Sequence, residues 1–237
     1  MNKILSFFKA FSIFEFILWG SSSLAILLSF FLCGNTSWLN LAGSLIGVTS
    51  LIFLAKGNVI GNFLVVAFSV LYGIISYVTQ YYGEMITYLG MTMPVAILSI
   101  VTWLKNSYGG KKTQVTINRL SKKEYALSFL LAAGVAVAFF FILRALNTAN
   151  LIWSTVSVLT SFYASYLNMR RSPVYALAYA ANDIVLIVLW SLVIAQSLEN
   201  VAMVVCFSAF LLNDLYGFFN WLKIRKKQNR EQNESAS

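Results

Sequence analysis

Ala178-Tyr-Ala-Ala-Asn-Asp-Ile-Val-Leu-Ile-Val-Leu-Trp190 and Phe210-Leu-Leu-Asn-Asp-Leu-Tyr-Gly-Phe-Phe-Asn-Trp221 are the two stretches that decide the fold. Each lies in an apolar segment long enough to cross a bilayer, and each has an Asn-Asp pair in its middle. A carboxylate at that depth costs at least about 2.5 kcal/mol, so it persists where it faces a cavity, a partner or a ligand. The two pairs therefore predict a polar site inside a membrane protein.

The composition places most of the protein surface against lipid. Of the 237 residues, 59% are hydrophobic and only 11% are charged, whereas a soluble domain has about a quarter of its residues charged. The chain has no histidine, which removes the commonest general base and metal ligand. Its two cysteines, Cys33 and Cys206, have no metal-ligand spacing. The sequence therefore predicts no catalytic residue, no metal site and no cofactor.

The apolar segments predict an all-α integral membrane protein with eight transmembrane helices. A bilayer core of about 30 Å requires about 20 apolar residues per helix. Eight stretches meet this length, at residues 14–33, 37–55, 60–80, 85–104, 125–146, 150–168, 174–195 and 200–222. Glu15, near the start of the first stretch, is expected at the membrane interface. Four tryptophans near the ends of these stretches are expected in the interfacial aromatic belts: Trp38, Trp103, Trp153 and Trp221.

The basic residues orient the predicted helices. When the N-terminus is placed inside, all of the 17 lysines and arginines except Arg144 fall on the inner side. Because Lys and Arg collect in cytoplasmic loops, both termini are expected in the cytoplasm. The net charge of +9 is thus a topology signal, and no nucleic-acid-binding surface is needed to explain it.

A Trp-Leu-Lys motif closes the fourth stretch at residues 103–105 and recurs 118 residues later, at 221–223, where it closes the eighth. The spacing predicts two parallel three-helix repeats joined by a linker helix and preceded by an extra N-terminal helix. Parallel repeats occur in transporters whose substrate site lies near the bilayer midplane. The alternative is an ordinary interfacial anchor that occurs twice. The predicted units are an N-terminal segment (1–36), the first repeat (37–104), a cytoplasmic loop and linker helix (105–149), the second repeat (150–222) and a disordered cytoplasmic tail (223–237).

Polar and aromatic side chains recur every three or four residues along the seventh and eighth stretches, which places them on single helix faces. Asn and Asp can bridge adjacent hydroxyls of a ribose or sugar, and aromatic faces hold flat rings, more strongly when the ring is cationic. The alternative to a substrate site is that these side chains form hydrogen bonds between neighbouring helices. The predicted substrate-binding residues are Asn182, Asp183, Asn213, Asp214, Tyr179, Trp190, Tyr216, Gln80 and Tyr88.

The two opening stretches and the run Tyr81-Tyr-Gly-Glu-Met-Ile-Thr-Tyr-Leu-Gly-Met-Thr-Met-Pro94 closely resemble the PnuC family of bacterial vitamin transporters, over residues 35–223. The resemblance implies a 3+1+3 helix arrangement like that of the SWEET sugar transporters, in the bacterial cytoplasmic (inner) membrane. It also implies uptake of nicotinamide riboside by facilitated diffusion and alternating access, with trapping by a cytoplasmic kinase. One departure is that Tyr175 and Tyr179 stand where some members have Trp-x-x-Trp, so thiamine or a related vitamin stays open as the substrate.

The expected partners are membrane lipid and a small vitamin or nucleoside, and a homo-oligomer such as a trimer is compatible with the sequence. The chain lacks a Gly-x-x-x-x-Gly-Lys-[Ser/Thr] loop for ATP hydrolysis, but a vitamin-binding subunit of an ATP-driven importer stays open. An intramembrane aspartyl protease is not expected, since Leu-Leu-Asn precedes Asp214 in place of a Gly-x-Gly-Asp signature. The protein is thus predicted not to be an enzyme. Proton coupling through Asp183 stays open, and it would make uptake follow the proton gradient.

Overall fold

The computed structural model describes residues 11–34, 37–78, 82–148, 150–192 and 199–236, and nearly all of them are helical. The helices are α1 (Ile13–Leu32), α2 (Trp38–Ala55), α3 (Ile60–Val78), α4 (Tyr82–Ile86, a π-helical turn Thr87–Thr92, and Met93–Lys105), α5 (Lys122–Ala145), α6 (Leu151–Met169), α7 (Val174–Ser191) and α8 (Glu199–Ala236). A two-stranded antiparallel hairpin, β1 (Ser107–Tyr108) and β2 (Lys111–Val115), joins α4 to α5. The predicted all-α membrane class is confirmed.

Seven helices in the described part of the chain are long and apolar enough to cross a membrane: α1 to α5, α7 and α8. The remaining long helix, α6, has many Ser, Thr and Tyr residues along its length. Eight spans were predicted, and the described residues contain eight long helices, of which seven are apolar enough by composition to cross a membrane and the eighth is α6. Its serines line an internal cavity rather than the lipid-facing surface.

Both α1 and α5 begin with a capping box, in which a serine and a glutamate three residues later satisfy each other's backbone N–H groups. Ser12 and Glu15 form the first box, and Ser121 and Glu124 form the second. Such boxes fix the helix starts because they satisfy donors that have no partner inside the helix. The chain therefore enters both helices in the same way.

Each of these two glutamates also forms an ion pair with the residue that follows α2 or α6. Glu15 lies 2.7 Å from Lys56, and Glu124 lies 2.5 Å from Arg170. Glu15 is only 4% exposed, so its side chain is buried in the protein and does not snorkel to water as was expected of an interfacial residue. Burial is tolerated because the Lys56 ammonium neutralises the carboxylate.

The α2–α3 and α6–α7 turns have the same construction. Each contains a residue with positive φ, Gly57 at +66° and Arg171 at +58°. The backbone N–H of each donates to the residue three positions earlier, with lengths of 2.9 Å in both turns. We call this end of the helix bundle, which holds residues 56–59, 170–173 and the loop at 106–121, the basic end.

The loop at 106–121 contacts both turns through its backbone. The N–H of Val115 donates to the carbonyl of Gly57, and the N–H of Asn118 donates to the carbonyl of Arg171, both at 3.0 Å. The loop includes strand β2, which ends at Val115. It thus bridges the two halves of the bundle at the basic end.

The C-terminal tail differs from its prediction. Disorder was expected from residue 223, but α8 continues as helix to Ala236. Gln228 is buried and forms two hydrogen bonds with the central loop, from the Ile117 N–H at 2.9 Å and to the Val115 carbonyl at 3.0 Å. Further along, Tyr108 donates to the Glu231 carboxylate. These contacts with a distant loop stabilise a segment whose own composition is polar.

Trp103 and Trp221 are buried near the basic end, 1% and 0% exposed, so their expected place in the interfacial belt is corrected. Tyr175 packs edge-on against Trp221, with the ring centroids 4.8 Å apart. Along their helices, Tyr175 lies one turn before Tyr179, and Trp221 lies two turns after Asp214. The aromatic cluster therefore fills the bundle between these cavity-lining residues and the basic end.

Candidate functional site

A cavity of about 460 Å³ lies inside the helix bundle. Residues from α2, α3, α4, α6, α7 and α8 line it, together with the end of α5 and the loop that follows. Six of the residues predicted for the site are in its wall: Tyr88, Tyr179, Asn182, Asp183, Trp190 and Asp214. The volume falls within the range of about 300–1,000 Å³ that is typical of small-molecule sites.

One face of α7 supplies most of these side chains. Tyr179, Asn182, Leu186 and Trp190 follow one another at intervals of three and four residues and all line the cavity. That spacing places them on one side of an α-helix. Asp183 also lines the cavity, because it is the neighbour of Asn182 on the side that faces α8.

Helix α6 packs against α7 and holds two of its polar groups in place. The hydroxyl groups of Ser165 and Tyr179 lie 2.8 Å apart and are hydrogen-bonded. Thr160 donates to Oδ1 of Asn182 at 2.8 Å. This bond orients the amide, and its Nδ2 group has no acceptor among the residues that the structure describes. Asn182 therefore offers two N–H donors to a molecule in the cavity.

The π-helical turn in α4 brings a third group of side chains to the cavity. Pro94 has no backbone N–H, so the carbonyl of Gly90 cannot form its regular helical bond, and the helix is irregular just before it. Thr87 and Tyr88 line the cavity from this turn. Tyr88 packs on Tyr72, with ring centroids 5.0 Å apart. Irregular helical turns of this kind occur frequently at functional sites.

Glu84 also lines the cavity, and the sequence did not predict it as a site residue. It lies one residue before the predicted start of the fourth span, where a carboxylate is ordinarily a solvated end residue. The sequence feature that could have indicated Glu84 as a site residue is its position in the run 81–94, which also contains Tyr88. Glu84 lies in the first turn of α4, three residues before the π-helical turn, and its side chain reaches the cavity wall.

Asp183 and Asp214 are each 4% exposed. Their carboxyl groups lie within hydrogen-bonding range of each other. Oδ2 of Asp183 is buried and receives no hydrogen bond from any described residue. Within the described chain, the cavity wall contains no lysine or arginine. The site therefore combines hydroxyl, amide and aromatic groups with carboxyl groups that have no basic partner.

Two predicted residues, Asn213 and Tyr216, are not in this arrangement. Asn213 is 1% exposed and donates to Ser22 at 2.9 Å, on the side of α8 that faces α1. Tyr216 donates to Glu15 at 3.0 Å, also on the α1 side. Gln80 lies outside the described residues. The second Asn-Asp pair is thus divided, with Asp214 at the cavity and Asn213 between helices.

Residues 37–223 match the family described as nicotinamide mononucleotide transporter. The chain belongs to this family. Two relatives in the nicotinamide mononucleotide transporter family are the nicotinamide riboside transporters PnuC of Haemophilus influenzae and Neisseria mucosa. The first is 25% identical over 196 residues, with 81% of this chain and 83% of the relative covered. The second is 27% identical over 206 residues, with coverages of 84% and 77%.

The crystal structure of the vitamin B3 transporter PnuC has the same fold, with a TM-score of 0.78 over 92% of this chain and 94% of that one, at 22% identity. The resemblance to the PnuC family that was predicted from the sequence is confirmed. The family match and the seven apolar helices identify the chain as a multi-pass protein of the bacterial inner membrane. The nicotinamide mononucleotide transporter family and the relatives are named as transporters.

Proposed function

We propose that this chain transports nicotinamide riboside across the bacterial inner membrane by facilitated diffusion. The main support for this proposal is the cavity inside the helix bundle, whose wall combines amide, carboxyl and aromatic side chains. Relatives that align over most of the chain are named nicotinamide riboside transporters. The riboside has a flat cationic ring and a ribose, and these are the two chemical groups that such a wall suits.

In the proposed complex, Asn182, Asp183 and Asp214 bind polar groups of the substrate. Tyr88, Tyr179 and Trp190 hold its ring. We leave Asn213 and Tyr216 out of the proposed site, because their hydrogen bonds go to Ser22 and Glu15. Ser157 and Ser161 of α6 also line the cavity, where their hydroxyl groups would contact the ribose of the substrate.

The proposed mechanism is alternating access between two parallel three-helix repeats, α2–α4 and α6–α8. The similar turns at Gly57 and Arg171 support this division, since they end α2 and α6 in the same way. The capping boxes and ion pairs of α1 and α5 support a further correspondence between the halves. The extra helix α1 would stand beside the first repeat in the same way that the linker helix α5 stands beside the second. Rocking of one repeat against the other would then open the cavity to each side in turn.

We propose that the basic end is cytoplasmic, because Lys and Arg collect in cytoplasmic loops and its turns and loop contain Lys56, Arg119, Arg170 and Arg171. Both termini are then proposed to be cytoplasmic as well. Uptake then needs no energy source in the transporter, because phosphorylation of the riboside by a cytoplasmic kinase traps it. Thiamine is the alternative substrate, since Tyr175 and Tyr179 replace a tryptophan pair of some members. Of these two tyrosines, only Tyr179 lines the cavity.

Calorimetric titration of the purified protein with nicotinamide riboside, nicotinamide mononucleotide and thiamine tests the proposal. We expect micromolar or tighter binding of the riboside and no binding of the phosphorylated mononucleotide. Thiamine binding instead would change the substrate and keep the transport mechanism. Binding of none of the three would contradict the proposal.

Uptake by proteoliposomes that contain this chain alone tests the mechanism. Facilitated diffusion predicts riboside uptake without ATP and without a partner subunit, and the rate should be indifferent to a protonophore. A requirement for an added ATPase subunit would identify the chain as the binding subunit of an importer. Loss of uptake with the protonophore would instead indicate proton coupling.

A further inference from the structure

We infer that the cavity selects the positively charged, oxidised form of its nicotinamide ligand over the uncharged, reduced form, and that Glu84, Asp183 and Asp214 determine this selectivity. The inference rests on the proposed function and deepens it, since it names the charge state of the substrate and the residues that recognise it. Oxidised nicotinamide riboside has a pyridinium ring with a permanent positive charge. The reduced riboside has the same ribose and carboxamide on a neutral dihydropyridine ring.

The three carboxyl groups reach the cavity from three different helices, α4, α7 and α8. The described part of the chain provides no basic side chain to the cavity wall. Among the described residues, the ion pairs lie elsewhere, at Glu15–Lys56, Glu124–Arg170 and Lys227–Glu231. The carboxyl groups of the cavity therefore have no counter-charge from the described protein.

A carboxylate inside a protein is costly unless it is paired and hydrogen-bonded. Asp183 is 4% exposed, lines the cavity, and its Oδ2 atom receives no hydrogen bond from the described residues. Two carboxyl groups as close as those of Asp183 and Asp214 are stable together when they share a proton or face a cation. A pair that shares one proton still has one negative charge. A positively charged ligand would supply the missing partner.

The surroundings of these carboxyl groups suit a flat organic cation. Tyr88 and Tyr179 line the same cavity as the three carboxyl groups. A ring with delocalised positive charge would thus meet both aromatic faces and carboxyl groups, and the attraction between cations and aromatic rings adds to the ionic one. The three acids come from separate helices around a cavity of about 460 Å³. Their negative charge would therefore act on a bound ligand from more than one helix.

Selectivity is a difference between two affinities, and the reduced riboside isolates the contribution of charge because its size and hydrogen-bonding groups are closely similar. We would titrate the full-length protein with the oxidised and the reduced riboside under the same conditions. The expected result is binding of the reduced form at least about tenfold weaker, which corresponds to about 1.4 kcal/mol. Equal affinities would overturn this inference and leave the proposed function intact. Failure of the oxidised riboside to bind would overturn the proposed function itself.

Three variants locate the source of the selectivity. Glu84→Gln and Asp214→Asn keep the side-chain shape and remove the charge, and a melting curve for each checks that it is folded. We expect each variant to weaken binding of the oxidised riboside more than binding of the reduced one. The ratio of the two affinities should then fall towards one. Asn182→Ala is the matched control, because loss of the uncharged amide should weaken binding of both forms equally. The ratio of the two affinities should then stay unchanged. A wild-type ratio in both carboxyl variants would overturn the assignment to these residues.

Discussion

Trp103 and Trp221 face each other with their ring centroids 5.5 Å apart, and each donates its indole N–H to a helix in the opposite half of the chain. Trp103 donates to the carbonyl of Asn168 at 2.9 Å, and Trp221 donates to the carbonyl of Leu54 at 2.7 Å. Each accepting residue is the penultimate residue of its helix, α6 or α2. The two halves are thus tied by a reciprocal pair of hydrogen bonds at the basic end.

Replacement of either tryptophan by phenylalanine should destabilise the protein, because it removes one of these bonds and some of the buried ring area. We expect Trp103→Phe and Trp221→Phe each to lower the free energy of unfolding by about 1 kcal/mol from the hydrogen bond, with a further loss from packing. Thermal melting in detergent measures the effect. Trp153→Phe is the control, since Trp153 is 39% exposed. An equal fall in melting temperature for Trp153→Phe would contradict a specific role for the pair.

The sequence predicted the helices well, because apolar segments of about 20 residues have few alternatives in a membrane. It did not predict the burial of the two tryptophans. A tryptophan near a span end is ordinarily an interfacial anchor, and the acceptors of Trp103 and Trp221 lie 65 and 167 residues away in the chain. The same reason applies to Gln228, whose partners in the central loop cannot be inferred from the local sequence.

The site was partly predictable for a related physical reason. On α7 the polar side chains repeat with the helical period, so a single face could be assigned to the cavity. On α8, Asn213 and Asp214 are neighbours and point about 100° apart, so one sequence motif serves two environments. A helical pattern states which residues share a face, but it does not state whether that face meets a cavity or another helix. Glu84 was missed because a carboxylate just outside a predicted span is ordinarily solvated, and its contact with the cavity depends on the tertiary fold.

The two Asn-Asp pairs should therefore respond differently to alanine. Asn182→Ala should weaken nicotinamide riboside binding by about tenfold or more, because it removes amide donors that face the cavity, with each bond to a charged or polar partner contributing about 1–3 kcal/mol. Asn213→Ala should lower the melting temperature, since it removes buried bonds to Ser22 and Ala209. Calorimetry and melting curves on both variants separate these effects. Unchanged affinity in Asn182→Ala would remove that residue from the site.

The coupling free energy between Glu15 and Lys56 should be larger than that between Glu124 and Arg170. The side chains of Glu15 and Lys56 are 5% and 23% exposed, whereas those of Glu124 and Arg170 are 39% and 31% exposed. Exposed pairs are screened by water and salt and contribute little. In a double-mutant cycle of Glu15→Gln and Lys56→Met, we expect a coupling free energy of about 1–2 kcal/mol. Glutamine keeps an acceptor for the Tyr216 hydroxyl, so the cycle isolates the charge.

A matching cycle of Glu124→Gln and Arg170→Met serves as the comparison for the buried pair. Its coupling should be smaller than that of Glu15–Lys56 and should decrease further in high salt. The free energy of unfolding in mixed micelles, measured for all variants at two salt concentrations, gives both couplings. A larger coupling at Glu124–Arg170 would contradict the argument from burial.

The hydrogen bonds of Gln228 should determine how firmly the end of α8 and the central loop hold together. In Gln228→Ala, the Ile117 N–H and the Val115 carbonyl lose their side-chain partners. At about 1 kcal/mol for a hydrogen bond, amide hydrogen exchange around these two loop residues should become about fivefold faster. Asn229→Ala, one position along and partly exposed, is the control and should leave exchange in the loop unchanged. Equal exchange rates in Gln228→Ala and the wild type would mean that the backbone bonds from Val115 to Gly57 and from Asn118 to Arg171 are sufficient to hold the loop without α8.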